Sequence, residues 1–277
     1  MTNPIFPPLI LSDWQPTRDT ITVYTQILGK IRRAMTPKQK HWWHISLRAA
    51  SVGLTTTPLP ANGQTVELLL DFTKHHLFIL TSRGEQHRIP LQGQSAAAFC
   101  TEVLDELAAI GIEPAIDRTL FAEYTPGTYD ETAVFTFWQI LSQIDITFKT
   151  FKHSFRRESS PVQLWPHHFD LAVVWFSGRL VPDQDPANEE YADEQMNFGF
   201  STGDSSIAEP YFYATAYPTP DAFTSRPLPD DAYWHTTGFN AAILPYAALT
   251  ATANPQGKLL GFLHAAHQAG SQFMLDK

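Results

Sequence analysis

The stretch that decides the fold is Tyr211-Phe212-Tyr213-Ala214-Thr215-Ala216-Tyr217, in the second half of the chain. Successive side chains of a β-strand point to opposite faces of a sheet, so the tyrosines and the threonine would share one face. Phe212 and the two alanines would share the other. Small residues suit a face covered by a helix, so we interpret the tyrosine side as the wall of a pocket. The alternative is that the tyrosines only cover a sheet face.

Outward from this strand, helical and strand patterns occur in separate runs. Apolar residues recur every three or four positions over residues 17–35, a helix that Pro37 would end. Further helices are predicted from Ser95 to Gly111, from Thr128 onward, where the spacing is that of a capping box, and from Asn254-Pro255. The other runs with strand character are 44–52, 66–72, 76–80, 87–91, 169–177, 196–201 and 239–244. These runs predict an α+β fold with antiparallel sheets and helices packed on one face.

The two halves of the chain have a similar order of elements and share short motifs. Residues 25–31 (TQILGKI) resemble residues 138–144 (WQILSQI), and residues 42–47 (WWHISL) resemble residues 166–171 (PHHFDL). With one more strand before each helix, at Ile5–Leu11 and Ile112–Asp117, each half reads (β)-α-β-β-β-β-α. We therefore predict a single compact domain, residues 1–277, made of two pseudo-repeats, about 1–117 and 118–277, related by a pseudo-two-fold axis. Chance similarity of short motifs is the alternative.

Composition and charge exclude several classes of protein. The chain has 277 residues, 43% hydrophobic and 17% charged, which is enough to bury a large core. No apolar run approaches the roughly 20 residues that cross a bilayer, and a net charge of -9 argues against a nucleic-acid partner. Cys100 is the single cysteine, which excludes an internal disulfide. The start of the chain lacks a signal-peptide pattern, so we expect a cytoplasmic protein with neither nucleic acid nor membrane as a partner.

Two motifs hold the densest group of chemically active side chains, His41-Trp42-Trp43-His44 and Trp165-Pro166-His167-His168. The predicted repeat places them at equivalent strand entrances, where they could face each other. On a strand, His41 and His44 would point to opposite faces, as would His167 and His168. A transition metal needs three or four converging ligands, and this spacing does not supply them. We therefore predict no metal and no cofactor, and keep a histidine-ligated metalloenzyme as the least favoured class.

Charged residues of the second half add further candidates. Asp170 would lie two residues beyond His168 on the same side of a strand, where a carboxylate could orient an imidazole or accept a proton. Arg179 could clamp a carboxylate, although a surface ion pair explains it equally well. Glu209 directly precedes the tyrosine strand. His44 follows two tryptophans, and a ring in such an apolar setting could exchange protons with a ligand. We predict His44 and Asp170 as catalytic residues, with purely structural roles as the alternative.

Several motifs, taken in order, resemble a bacterial family known as domain of unknown function 5996. They are residues 41–44 (HWWH), 53–56 (GLTT), 160–162 (SPV), 169–173 (FDLAV), 176–179 (FSGR), 209–213 (EPYFY) and 244–246 (LPY). The resemblance covers almost the whole chain and implies the extent of the fold, but no activity. In that family the residues after Ser-Pro-Val usually read His-Phe-Phe-Trp-Gly-Ser. Here Gln163 replaces the family histidine, so no catalytic role is carried over to this position.

These patterns together favour a protein that binds a small molecule. We expect a pocket between the two repeats, with Arg179 and Glu209 as additional binding residues. Its lining residues would be His41, Trp42, Trp43, His44, Trp165, His168, Tyr211 and Tyr213. The sequence leaves open the identity of the ligand, whether a reaction is catalysed, and whether the chain forms a homo-oligomer. The alternative class is a non-catalytic interaction protein whose aromatic strands are buried against a partner.

Overall fold

The structure is a computed structural model that describes residues 5–188 and 190–275. Within that part of the chain there are five α-helices and two six-stranded antiparallel sheets, as expected for the α+β class. The chain divides into two compact units. We call residues 12–142 and 164–169 the amino-terminal unit, and the remaining described residues the carboxy-terminal unit. No helix of the described part is long and apolar enough to cross a membrane.

The amino-terminal unit contains the first sheet, whose strand order is β1-β2-β4-β5-β6, with β3 paired to β4. Its elements, in chain order, are α1 (Leu11–Met35), a 3₁₀ segment (Lys40–Ile45), β1 (Arg48–Ala49), β2 (Gly53–Thr55), β3 (Leu59–Ala61), β4 (Gln64–Asp71), β5 (His76–Thr81), β6 (Gln86–Pro90), α2 (Ala96–Ala109), a second 3₁₀ segment (Arg118–Phe121) and the first half of α3 (Glu131–His153). Tyr24 of α1 stacks on Phe99 of α2 with ring centroids 3.9 Å apart, and both side chains are almost fully buried. The predicted core faces of these two helices therefore meet.

The carboxy-terminal unit is built on the second sheet, whose strand order is β11-β12-β10-β9-β8-β7. The elements that complete the chain are β7 (Gln163–Trp165), β8 (Asp170–Leu180), β9 (Asp193–Ser201), β10 (Tyr211–Tyr217), a 3₁₀ turn (Phe223–Ser225), β11 (Tyr233–His235), β12 (Ala241–Pro245), α4 (Ala247–Thr250) and α5 (Pro255–Leu275). Strand β10 begins and ends where the sequence predicts. The strands β2, β3, β7 and β11 have only three residues each, and the sequence analysis missed them.

The two faces of β10 differ as the alternation predicts. On one face, Phe212 lies against Phe148 of α3, with ring centroids 6.4 Å apart, and Ala214 is fully buried. Gly270 of α5 comes so close to Met196 on the neighbouring β9 that an added Cβ would lie 2.4 Å from its Cε. Helices therefore cover this face, and the tyrosines belong to the other.

The predicted helix ends are confirmed for α2 and α5, and α3 begins with a different cap. The Ser95 hydroxyl accepts the Ala98 N–H at 3.2 Å, and the Asn254 side chain accepts the Gly257 N–H at 3.0 Å. At α3, Asp130 rather than Thr128 is the cap, because its carboxylate accepts the Thr132 N–H at 2.8 Å. Each of these bonds satisfies an N–H group that has no partner within the helix.

Three predicted strands are not formed. Helix α1 starts at Leu11, residues 5–10 contain no strand, and residues 112–117 are also irregular. Of the strand expected over residues 44–52, only the two residues of β1 remain. Just before this stretch, His41 and Trp42 adopt left-handed φ values of 55° and 59°, so the chain turns there, and the 3₁₀ segment includes residues 44 and 45. The duplication stays a prediction.

Candidate functional site

The two histidine and tryptophan motifs meet inside the amino-terminal unit. Leu47, just after the first motif, and Leu164, just before the second, exchange two backbone hydrogen bonds of 2.9 Å. This isolated antiparallel bridge aligns the two segments. Neither motif lies along a strand as predicted. The first forms a 3₁₀ segment, and in the second Trp165 ends β7 while the other three residues form the turn before β8. The histidines of each motif therefore need not point to opposite faces, as they would on a strand.

Helix α1 approaches these segments closely because it has a glycine at position 29. A Cβ atom on Gly29 would lie 2.9 Å from Cγ of Pro166 and 3.2 Å from the carbonyl oxygen of Ile45. Any larger residue would push the helix away from one or both segments. Gly29, in the TQILGKI segment, therefore allows this close approach.

A cleft with a volume of about 480 Å³ lies between α1, the two 3₁₀ segments and the turn before β8. Its lining is mainly apolar, with a few polar and cationic groups. The lining residues are Gln26, Gly29, Lys30, Arg33, Trp42, Ile45, Leu120, Phe121, Pro166 and His167. Of the binding residues predicted from the sequence, the cleft contains Trp42. The lining residues of α1 and of the 3₁₀ segment Arg118–Phe121 were not predicted: the TQILGKI motif of α1 indicated only a possible repeat, and the 3₁₀ segment carries no motif.

Trp42 is held in a strained position at the edge of this cleft. Two successive residues other than glycine in the left-handed region cost of order 1–3 kcal/mol each, and such strain often accompanies binding sites. The Arg33 guanidinium lies 5.2 Å from the centre of the Trp42 ring, and the Lys38 ammonium lies 5.3 Å from it. The His44 ring stacks on the same indole, with centroids 5.6 Å apart. The surrounding structure thus fixes the orientation of this indole.

The predicted catalytic residue His44 is 3% exposed and helps to form the turn. Its Nδ1 accepts the backbone N–H of Gln39 at 3.2 Å, so the proton of the neutral ring is on Nε2. His41, another predicted binding residue, has its ring 5.7 Å from that of Trp43. These contacts give the two histidines structural roles in the 3₁₀ segment.

His167 is the histidine that lines the cleft. Burial lowers its pKa, and the nearby His168 and Lys30 lower it further, so the ring is neutral at neutral pH. The rings of His167 and His168 are 4.3 Å apart, and that of Trp165 is 6.0 Å from His167. A neutral imidazole both donates and accepts a hydrogen bond, which gives the cleft a polar contact that carries no charge.

A second cavity of the same unit, about 540 Å³ in volume, lies along the start of α2 and includes Cys100, Arg118 and Tyr124 in its lining. Cys100 is 2% exposed, and burial raises the pKa of its thiol. A protonated thiol is a poor nucleophile, so this cavity does not provide thiol chemistry.

In the carboxy-terminal unit, the predicted catalytic residue Asp170 accepts a hydrogen bond from a tyrosine. The Tyr213 hydroxyl donates to Oδ2 of Asp170 at 2.5 Å, and burial together with this carboxylate raises the pKa of Tyr213 well above its usual range. The tyrosine ring lies directly over Gly199 of β9, where an added Cβ would be 2.2 Å from Cζ. Phe169 has a φ of 53°, so strand alternation does not extend from His168 to Asp170 and does not support the predicted shared side.

The remaining predicted binding residues have partners within the same unit. The Tyr211 hydroxyl donates to Oδ2 of Asp204 at 2.5 Å. Arg179 donates from Nε and Nη2 to Oε2 of Glu194, at 3.1 and 3.0 Å, which is the ion pair that the sequence left as an alternative to a ligand clamp. The Glu209 carboxylate accepts the N–H of Leu11 at 3.3 Å, at the start of α1. Each of these groups therefore has a structural contact.

Within the described residues, no cluster of three or more histidine, cysteine, aspartate or glutamate side chains is arranged to hold a metal ion.

The fold and the cleft define an α+β protein with a small, partly apolar cleft in its amino-terminal unit. A family model described as a family of unknown function (DUF5996) matches residues 6–274, which is nearly the whole chain. The chain belongs to this family, as its motifs indicate. Comparisons with curated proteins and with solved structures found no match.

Proposed function

We propose that this protein binds a small, partly apolar molecule in the cleft of the amino-terminal unit. The observation that carries the proposal is the cleft itself, about 480 Å³ in volume, at the place where the two histidine and tryptophan motifs meet. Small-molecule sites commonly have volumes of about 300–1,000 Å³, with mostly apolar walls and a few polar groups. The proposal concerns binding in the cytoplasm and assigns no reaction.

The lining of the cleft suits a flat ligand. The Trp42 indole provides an aromatic wall, and Ile45, Leu120 and Phe121 add apolar surface. The strained backbone at Trp42 also supports a binding site here. Such strain persists only where the surrounding structure holds it, and strained residues cluster at ligand sites. Gly29 keeps α1 close to Pro166, which sets the width of the cleft.

The proposal can be tested with N-phenylnaphthylamine, a neutral aromatic probe whose fluorescence rises in apolar sites. We expect saturable binding, which the Leu120→Ala variant weakens about fivefold because it removes apolar surface from the cleft. Leu180→Ala is a matched control, since Leu180 of the carboxy-terminal unit is 56% exposed and Leu120 is 57% exposed. This control should bind as the wild type does.

Two results would contradict the proposal. One is the absence of saturable binding to the folded protein. The other is an equal loss of affinity in Leu120→Ala and Leu180→Ala, which would show that the probe binds elsewhere. Either result would favour the non-catalytic interaction protein that the sequence also allows.

A further inference from the structure

We infer that the ligand of this cleft is an anion, with a flat apolar body and one oxyanion group that Lys30 and Arg33 bind. This inference rests on the proposed function and adds the chemical class of the ligand. Carboxylate, sulfonate and phosphate groups share the required charge and hydrogen-bond acceptors.

The sequence concentrates positive charge around the cleft in an otherwise acidic protein. The chain has a net charge of -9, yet no acidic residue occurs between Asp19 and Glu67. The same stretch contains six basic residues, Lys30, Arg32, Arg33, Lys38, Lys40 and Arg48. It runs from α1 through the 3₁₀ segment that supplies Trp42, so it forms two walls of the cleft.

Lys30 and Arg33 are three residues apart on α1, which places their side chains on the same face of the helix. Both line the cleft. Within the described part of the chain, neither forms an ion pair of 4 Å or less with a carboxylate. The Arg33 guanidinium instead lies over the Trp42 ring. Two cations beside an apolar surface without an acidic partner favour a bound anion, because an anion would replace the water that now solvates them.

The charge of Lys30 reaches the opposite wall of the cleft. It lowers the pKa of His167 on the turn before β8, and also contributes to the lowered pKa of the exposed Asp117. The Asp117 carboxylate accepts two hydrogen bonds from Thr119, of 2.9 and 2.6 Å, and so caps the second 3₁₀ segment. The Asp117 carboxylate keeps its negative charge in this cap, and Lys30 acts both on it and on His167 across the cleft.

The position of Arg33 over Trp42 suits both parts of such a ligand. A guanidinium that lies against an indole keeps its donors at the ring edge, where they can bind a planar oxyanion in two places. Trp42 also lines the cleft, so its ring adds apolar surface beside this charge. The cation and the apolar surface that such a ligand needs therefore lie next to each other.

Two probes that differ only by one charged group can test this inference separately from the proposed function. Anilinonaphthalene sulfonate has the same ring skeleton as N-phenylnaphthylamine and carries one added sulfonate. We expect the sulfonate probe to bind the wild-type protein about threefold to tenfold more tightly than the neutral probe at low salt. Raising the ionic strength should reduce this difference.

The variants Lys30→Gln and Arg33→Gln should each weaken binding of the sulfonate probe about threefold to tenfold more than they weaken binding of the neutral probe. Arg118→Gln is the control, because Arg118 lines the second cavity of the same unit and not the cleft. Circular dichroism and the melting temperature would confirm that each variant is folded.

The outcomes distinguish the two ideas. If the neutral probe binds, but the sulfonate probe binds no more tightly and both cleft variants behave as the wild type, the inference is wrong while the proposed function stands. If Arg118→Gln has the same effect as the two cleft variants, the charge effect is general and the inference is also wrong. Failure of the neutral probe to bind contradicts the proposed function itself.

Discussion

The cleft of the amino-terminal unit and the tyrosine face of the carboxy-terminal unit are both rich in aromatic and polar groups, yet their polar groups are used differently. On the tyrosine face, Tyr213 donates to Asp170 and Tyr211 donates to Asp204, each at 2.5 Å. In the cleft, Lys30 and Arg33 have no carboxylate partner within 4 Å in the described part of the chain, and Trp42 is held in a strained conformation.

This difference distinguishes a face whose polar groups pair with one another from the cleft that we propose as the binding site. Polar groups that satisfy one another stabilise the fold and leave little interaction energy for a ligand. Cations beside an apolar surface can still form strong interactions with a ligand, and a strained backbone is common at such sites. The predicted pocket combined residues of both regions, because residue types can be read from a sequence whereas hydrogen-bond partners cannot.

The largest effect is expected where the tyrosine face is packed most tightly. Gly199→Ala would place a Cβ atom 2.2 Å from Cζ of Tyr213, so the ring must move away from Asp170. We expect the free energy of unfolding to fall by about 3 kcal/mol, as in other overpacked cores. Chemical denaturation would measure it. Gly261→Ala, where an added Cβ meets nothing within 4 Å on α5, should instead stabilise the protein slightly. If both variants changed the free energy of unfolding equally, the close contact between residue 199 and Tyr213 would not be the cause.

A smaller loss is expected when a single hydroxyl is removed from this face. Tyr213→Phe deletes the donor to Asp170 and should lower the free energy of unfolding by about 1–2 kcal/mol, because a buried carboxylate loses a hydrogen bond. Affinity of the cleft for N-phenylnaphthylamine should stay within about twofold of the wild type. Tyr217→Phe, on the same strand face, is the matched control and should be close to neutral. A change in probe affinity with unchanged stability would reverse our assignment of the two regions.

The smallest effect concerns backbone strain in the cleft. Trp42→Gly and Trp42→Ala both remove the indole and should both weaken probe binding. Glycine accepts a φ of 59° without strain, so the glycine variant should be about 1 kcal/mol more stable than the alanine variant. Thermal unfolding of the two proteins side by side would measure this difference. If alanine proved the more stable, strain would play no part at this position.

The sequence predicted those elements whose pattern is long enough to read. Strand β10 and the capped helices α2 and α5 follow from alternation, helical periodicity and side-chain caps, all of which act within a few residues. Strands of three residues escaped, because such short stretches contain no pattern. Of the predicted binding residues, Trp42 lines the cleft, whereas Trp165 and His168 of the second motif do not. Lys30, Arg33 and Leu120 were not predicted, because they reach the cleft only through the packing of α1 and a 3₁₀ segment.

The sequence by itself determined the α+β class, the two faces of β10 and the acidic overall charge, because composition and local periodicity are properties of the chain alone. The tertiary structure decided which polar groups pair. The bond between Tyr213 and Asp170 joins residues 43 positions apart, and the bridge between Leu47 and Leu164 joins segments from different halves of the chain. Contacts between residues so distant in sequence depend on how whole elements pack, and the left-handed turn at His41 and Trp42 that shapes the cleft is stable only where that packing holds it.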